Sequence, residues 1–500
     1  MPADHLRAFW DNFLGQSPDW YKWLVVFFLA VNPLLLGYSP IIASWAILLE
    51  FIGTLMMALR CYPLQPGGLL AIEAVLLGLV TPAQVQHEIE SGLPVILLLV
   101  FMVAAIYFLR EMLVYTFTKL LARVRSSSLL AFLFVIVGAL LSAFLDALTV
   151  LAVMITVVGG FYGVYHRVAS GKTHREEPHD TAGDSAVGEI HKSDLEGFRA
   201  YLRGLLMHGA IGTTIGGVCT LVGEPQNLLI GKEAGWEFLE FAARMAPVTG
   251  PAAVAGLATC LILEKFAWFG YGSSLPEAVR QVLVEFEQHE SSQMTSRHRS
   301  VIVAQAIIAI LLVVALAFHV AEVGVIGLAI IVLATAFTGI VDEARLGKAF
   351  EASLPFTALL VVFFAIVGMI HGQDLFNPLL EWVLRLDTPD QPLALFGASG
   401  FLSIVSDNVF VATIYITEVK EALVAGAITN EQFNSMAVAI NTGTNIPSIA
   451  TPNGQAAFLF LLTSAIAPLI RLSYFRMVWM ALPYFVAMTA AAVVGVRYVL

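Results

Sequence analysis

The chain has 500 residues, 58% of them hydrophobic and only 13% charged, with a formal net charge of −11. Soluble domains carry roughly a quarter charged residues, so this composition excludes an ordinary water-soluble fold. The acidic balance argues against nucleic acid as a partner.

The first twenty residues, with Asp4, His5, Arg7, Asp11 and Asp19, are polar and amphipathic and do not read as a cleavable leader. Apolar stretches of the ~20 residues needed to cross a hydrocarbon core follow at 21–38, 40–58, 66–82 and 93–117. Next come the apolar stretch 128–165, the polar stretch 166–199, and the spans 201–231 and 245–264. A connector at 265–299 is polar from Tyr271 and suits a short amphipathic surface helix. The second part of the chain offers 300–319, 322–341, 353–371, 393–419, 432–469 and 477–499. Cys61, Cys219 and Cys260 lack metal-ligand spacing and read as small buried hydrophobes. Glu50, Glu73 and the pair Arg110-Glu111 read as interfacial or paired groups, and His208, His319 and His371 as satisfied core histidines.

Two of these stretches are related. Leu141–Val158 and Leu402–Val419 match at seven of eighteen positions without a gap. The matches include Asp146 with Asp407, and an intramembrane carboxylate is costly unless it is functional or paired. Each Asp is followed by a helix-breaking motif: Thr220-Leu-Val-Gly-Glu-Pro-Gln-Asn227 and Ile449-Ala-Thr-Pro-Asn-Gly-Gln455. Asp146 precedes Pro225 by 79 residues and Asp407 precedes Pro452 by 45, and the 34-residue difference equals the length of the polar stretch 166–199. One half therefore reads as the other with a surface loop inserted.

Orientation follows from the Lys and Arg of short loops. A cytoplasmic N-terminus puts Arg60 inside, Glu88 and Glu90 outside, and Lys119, Arg123 and Arg125 inside. If 128–165 is a re-entrant hairpin entering from inside, with its tip near Asp146, the loop 166–199 stays inside. Then 393–419 becomes a hairpin entering from outside with Asp407 at its tip, and Arg471 and Arg476 fall inside. The expected fold is an all-α polytopic membrane protein of two inverted repeats, with scaffold and transport domains, two re-entrant hairpins and two unwound helices. The first half is 1–264: scaffold spans within 21–117, hairpin 128–165, cytoplasmic loop 166–199, broken helix 201–231 and span 245–264. The connector 265–299 leads to the second half, 300–500: scaffold spans 300–371, hairpin 393–419, broken helix 432–469 and last span 477–499.

A Pro flanked by Gly and Asn in mid-membrane breaks a helix and frees carbonyls that lipid cannot satisfy. Gly223, Pro225, Pro452 and Gly454 mark two such unwound points. A hard cation such as sodium takes several oxygens. Asp146 and Asp407 are the expected exchangeable carboxylates, each neutralised by either sodium or a proton. Thr149, Glu224, Asn227, Ser406, Asn408, Thr451 and Asn453 are the expected further oxygen donors for sodium. Ala147 stands where the second half has Asn408, so the two sites need not be equal.

These motifs, Phe144–Val150, Thr220–Asn227, Ser406–Phe410 and Asn441–Gln455, closely resemble those of the B-type bacterial sodium/proton antiporters, across essentially the whole chain. The resemblance implies the scaffold and transport domains, the opposed hairpins, and a homodimer paired through the scaffolds. Dicarboxylate-transporting relatives in the wider superfamily carry Ser-Asn-Thr at the hairpin tips. Leu145-Asp-Ala147 and Ser406-Asp-Asn408 depart from that pattern, and fixed carboxylates repel anions. The expected function is a secondary transporter exchanging sodium for protons in the bacterial cytoplasmic (inner) membrane. The weaker alternative is a sodium-coupled anion or metalloid carrier. No cofactor and no enzymatic activity are expected, because neither a nucleophile motif nor a His/Cys cluster accompanies the Asp pair.

Overall fold

The computed structural model describes residues 2–172, 180–351 and 353–500, and every regular element among them is helical. Among the described residues, six helices are long and apolar enough to cross a membrane: Asp19–Leu36, Ala147–Ala169, Phe238–Phe266, Ser296–Ala317, Leu354–Gly372 and Tyr474–Tyr498. Shorter apolar helices lie at Pro40–Met56, Leu64–Leu76, Ser127–Ser142 and Val323–Thr338. Lipid cannot hydrogen-bond a bare backbone, so helices that satisfy their own N–H and C=O groups are the expected spanning element. The chain is a multi-pass integral membrane protein.

Two stretches differ from their expected form. The stretch 93–117 is not one continuous helix. Helix Leu93–Leu97 passes through a π-helical segment, Leu98–Met102, into Val103–Tyr107, and the chain then breaks before helix Arg110–Arg123. Glu88 and Glu90 lie on helix Pro82–Ser91, capped by Thr81 and bent by 59° from the helix after Gly92. The polar stretch 166–199 is not a loop throughout. Helix Ala147–Ala169 takes its first residues and helix Glu189–Gly217 its last.

The intervals between Asp and Pro can now be compared element by element. The helix after Asp146 has 23 residues and the one after Asp407 has 17. The helix before the first break has 29 residues and the one before the second has 16. More than half of the extra length is therefore added helical turns, and the surface loop accounts for less than half. At ~1.5 Å per residue, the longer helices project well past their counterparts, carrying Arg199 and His166 to a polar cluster. There the Arg199 guanidinium donates to Asp184 Oδ1 (2.6 Å) and to Tyr162 Oη (2.7 Å).

Helix Ser127–Ser142 packs along Glu189–Gly217, and Gln391–Ser403 packs along Asn430–Asn445. The first of these contacts requires glycine. A Cβ on Gly216 would stand 1.9 Å from the Ala139 carbonyl oxygen, so the two backbones meet without an intervening side chain. Helix Asn408–Val424, which follows the first member of that second pair, abuts Pro40–Met56 and Leu354–Gly372. Phe410 sits against Phe51 and Phe363 with ring centroids 5.2 and 5.7 Å apart. Helix Glu277–Gln293 lies in the connector, where a surface helix was expected, and Glu287 pairs with Lys119.

Candidate functional site

Both aspartates end a helix break. Asp146 is the N-cap of Ala147–Ala169, where its carboxylate accepts from Thr149 N (3.1 Å) and Thr149 Oγ1 (3.3 Å). Asp407 is the N-cap of Asn408–Val424 and accepts from Val409 N (2.8 Å) and Phe410 N (3.3 Å). Asp is a favoured N-cap because its oxygen satisfies N–H groups that have no helical partner. The same positive helix ends attract negative charge to these positions.

The Pro motifs form two further breaks. Helix Glu189–Gly217 stops, the chain runs irregularly from 218 to 224, and Pro225 opens Pro225–Ala234 at its first position. Asn430–Asn445 stops likewise and passes through a short 3-10 turn and the extended residue Thr451 before Ala456–Thr463. Thr220 Oγ1 donates to the Ala143 carbonyl, and Thr451 Oγ1 donates to the Ile404 carbonyl. Each acceptor lies three residues before an aspartate, so each break is tied to the Asp-bearing helix pair of its own half. Gly454 closes the second junction, where a Cβ would stand 2.4 Å from Ser403 O and 2.6 Å from Ser448 O.

A cavity of about 460 Å³ opens between these breaks. Of the expected site residues, Asp146, Thr149, Glu224, Pro225, Asp407, Asn408 and Gly454 line it. Three carboxylates thus face one space. Glu224 Oε1 and Asn408 Oδ1 are buried without a hydrogen-bond donor among the described residues, so they are oxygens available to a cation.

Ser406, Asn227, Thr451, Asn453, Gly223 and Pro452 are absent from the lining. Asn227 Nδ2 donates to the carbonyls of Gly217 (2.7 Å) and Thr220 (2.6 Å), holding the first break in shape. Asn453 Nδ2 reaches away to the Met56 carbonyl (2.7 Å). Ser406 Oγ, in the residue before Asp407, is buried without a partner among the described residues.

Several contributors escaped the sequence reading. Gln226 Nε2 donates to Asn445 Oδ1 (2.8 Å), and Asn445 Nδ2 donates to Asn227 Oδ1 (3.2 Å), so buried amides bolt one break to the other. Gln455 Nε2 donates to Thr214 Oγ1 (2.8 Å) across the same interface. Gln226 and Gln455 sit inside the motifs, which was the available signal; the pairing of residues more than 200 positions apart gave none. Arg110, expected to be interfacial or paired, is exposed and donates to Thr156 Oγ1 (3.0 Å), and it also lines the cavity. His208 and His371 are held by Glu264 (3.0 Å) and Glu88 (2.9 Å) as core groups, whereas His319 is exposed at a helix end and is not a core histidine.

The profile of the bacterial Na+/H+ antiporter B (NhaB) family matches residues 1–500. The chain belongs to that family. It is 60% identical over 482 residues to a protein of Hahella chejuensis named Na(+)/H(+) antiporter NhaB, covering 96% of each chain. A Pseudomonas fluorescens protein of the same name is 59% identical over 499 residues, the whole of both chains. One from Shewanella halifaxensis is 56% identical over 497 residues, covering 99% of this chain and 94% of that one.

Proposed function

We propose that this chain exchanges sodium for protons across the bacterial cytoplasmic membrane, with Asp146 and Asp407 as the carboxylates that sodium and protons occupy in turn. The observation that carries this reading is the meeting of Asp146, Glu224 and Asp407 in one cavity between two helix breaks. Three carboxylates disfavour an anionic cargo and favour a cation, which supports exchange over sodium-coupled anion transport. Family membership, among relatives named for Na+/H+ antiport, supports it independently.

The chemistry follows from competition. Sodium entering the cavity takes carboxylate, hydroxyl and amide oxygens in place of its hydration shell. Thr149, Asn408 and Glu224, which line the cavity, supply oxygens for it. Carriage of the ion across and its replacement by protons completes a cycle in which the same oxygens are never left charged and empty in lipid.

Alternating access in this proposal uses two inverted halves, with 128–165 and 393–419 as re-entrant hairpins from opposite faces. In support, each half runs in the same order: helix, Asp cap, helix, helix, break, helix. The N-terminus is assigned to the cytoplasm by the Lys and Arg bias of short loops. A homodimer would pair through the helices before residue 117 and those between 300 and 371. The test is sodium-driven dequenching of a pH-sensitive dye in acid-loaded proteoliposomes, with no organic anion present. Proton movement that required an added anion would overturn the assignment.

A further inference from the structure

A second set of carboxyls, on the N-terminal helices, lies outside the lining of the cavity. Asn32 on Asp19–Leu36 is fully buried, and its Nδ2 donates to Glu50 Oε2 (2.8 Å) on Pro40–Met56 and to Glu73 Oε2 (2.8 Å) on Leu64–Leu76. Those two oxygens therefore lie no more than about 5.6 Å apart, the sum of the two bonds. Glu73 is buried, Glu50 is half-buried, and neither lines the transport cavity.

The cluster is short of donors. Asn32 uses both amide hydrogens on the carboxylates, while its Oδ1 is buried with no donor among the described residues. Among the described residues no cation is paired with these carboxylates. Pro40–Met56 and Leu64–Leu76 hold no other charged residue. On Asp19–Leu36 the other titratable groups are Asp19, Tyr21 and Lys22, about three turns away, and Lys22 is committed to the carbonyls of Trp10 and Asp11. Helix Leu354–Gly372, packed against the other two, offers only His371, which is held by Glu88. Two bare carboxylates at this separation, flanked by the exposed apolar side chains of Leu49, Ile72 and Leu76, would repel each other with no counter-charge among the described residues to offset them. One added proton supplies the missing donor and removes one of the two charges.

We propose that Asn32, Glu50 and Glu73 form a proton-binding site in the scaffold, separate from the transport cavity, in which the two carboxyls share one proton. Its half-buried member opens toward lipid, which makes the site a target for hydrophobic carbodiimides. The carboxyl O–H adds across a C=N bond: the oxygen joins the carbodiimide carbon, the proton passes to nitrogen, and nothing leaves. An O-to-N acyl shift then fixes the adduct. Only the protonated carboxyl starts this sequence.

The test is dicyclohexylcarbodiimide treatment of the full-length protein in proteoliposomes between pH 5.5 and 9, with adducts mapped by peptide mass spectrometry. The expected result is an adduct on Glu50 whose rate of formation falls about tenfold per pH unit above its midpoint. Glu73→Gln removes the neighbouring charge, so Glu50 ionises more readily and its labelling at pH 7 drops several-fold although Glu50 is intact. Size-exclusion chromatography checks that this variant is folded; if it is not, the wild-type pH profile alone decides. Absence of an adduct on Glu50 and Glu73 at every pH overturns the proposal, as does labelling of Glu50 that is indifferent to pH or to a folded Glu73→Gln.

Discussion

Replacing Asp146 by Asn separates the N-cap role that the structure shows for this side chain from its proposed role as an ion ligand. As an N-cap it accepts from Thr149 N and Thr149 Oγ1, and Asn caps helices about as well as Asp, so the fold should lose less than ~0.5 kcal/mol. As an ion ligand it loses a full charge. At an effective dielectric of about 20, unit charges 4 Å apart attract by about 4 kcal/mol, which corresponds to about a thousandfold in affinity. Asp146→Asn should therefore insert, elute as a single species and melt within ~2 °C of the wild type. Its sodium-dependent proton movement should fall below detection at millimolar sodium. The assay is dye dequenching in proteoliposomes beside thermal melting in detergent. Wild-type-like exchange in the variant would refute the placement of Asp146 on the ion path. Lost exchange together with a melting drop of ten degrees would refute the claim that the cap survives the substitution.

Asp407→Asn keeps an oxygen for Val409 N and Phe410 N, and the same pair of measurements should show a retained fold with exchange reduced by at least tenfold. Glu224→Gln replaces a buried, unpartnered carboxylate oxygen that faces the cavity; a tenfold or greater rise in the apparent KM for sodium is expected, read from the sodium dependence of dequenching. Gly216→Ala would push a methyl into the Ala139 carbonyl, costing about 1–3 kcal/mol by overpacking, visible as a lowered melting temperature with or without sodium. Arg199 hydrogen bonds hold the Asp184 carboxyl below its usual range, from 3.8 to about 2. A depressed folded value stabilises the protein above the unfolded pKa and loses that contribution as pH falls through the folded one. The melting-temperature gap between wild type and Asp184→Asn should therefore shrink as pH drops from about 4 toward 2, measured in lipid nanodiscs.

Composition and a few expensive residues determined the class of molecule, the position of both aspartates and the two helix breaks. The reason is local: lipid penalises any charge or bare backbone so heavily that Asp146, Asp407, Pro225 and Pro452 stand out from their apolar surroundings. Polarity alone overstated the loop at 166–199, because helical backbone can continue through polar residues once it has left the hydrocarbon. Tertiary structure decided which oxygens share a space. Asn227 and Thr451 turned out to brace the breaks, while Glu224 and Asn408 face the cavity. The amide bridge from Gln226 through Asn445 to Asn227 joins residues more than 200 positions apart. Asn32, Glu50 and Glu73 likewise come from three separate helices. Hydrogen-bond partners of this kind are chosen by packing between distant elements, and no local pattern in the chain encodes them.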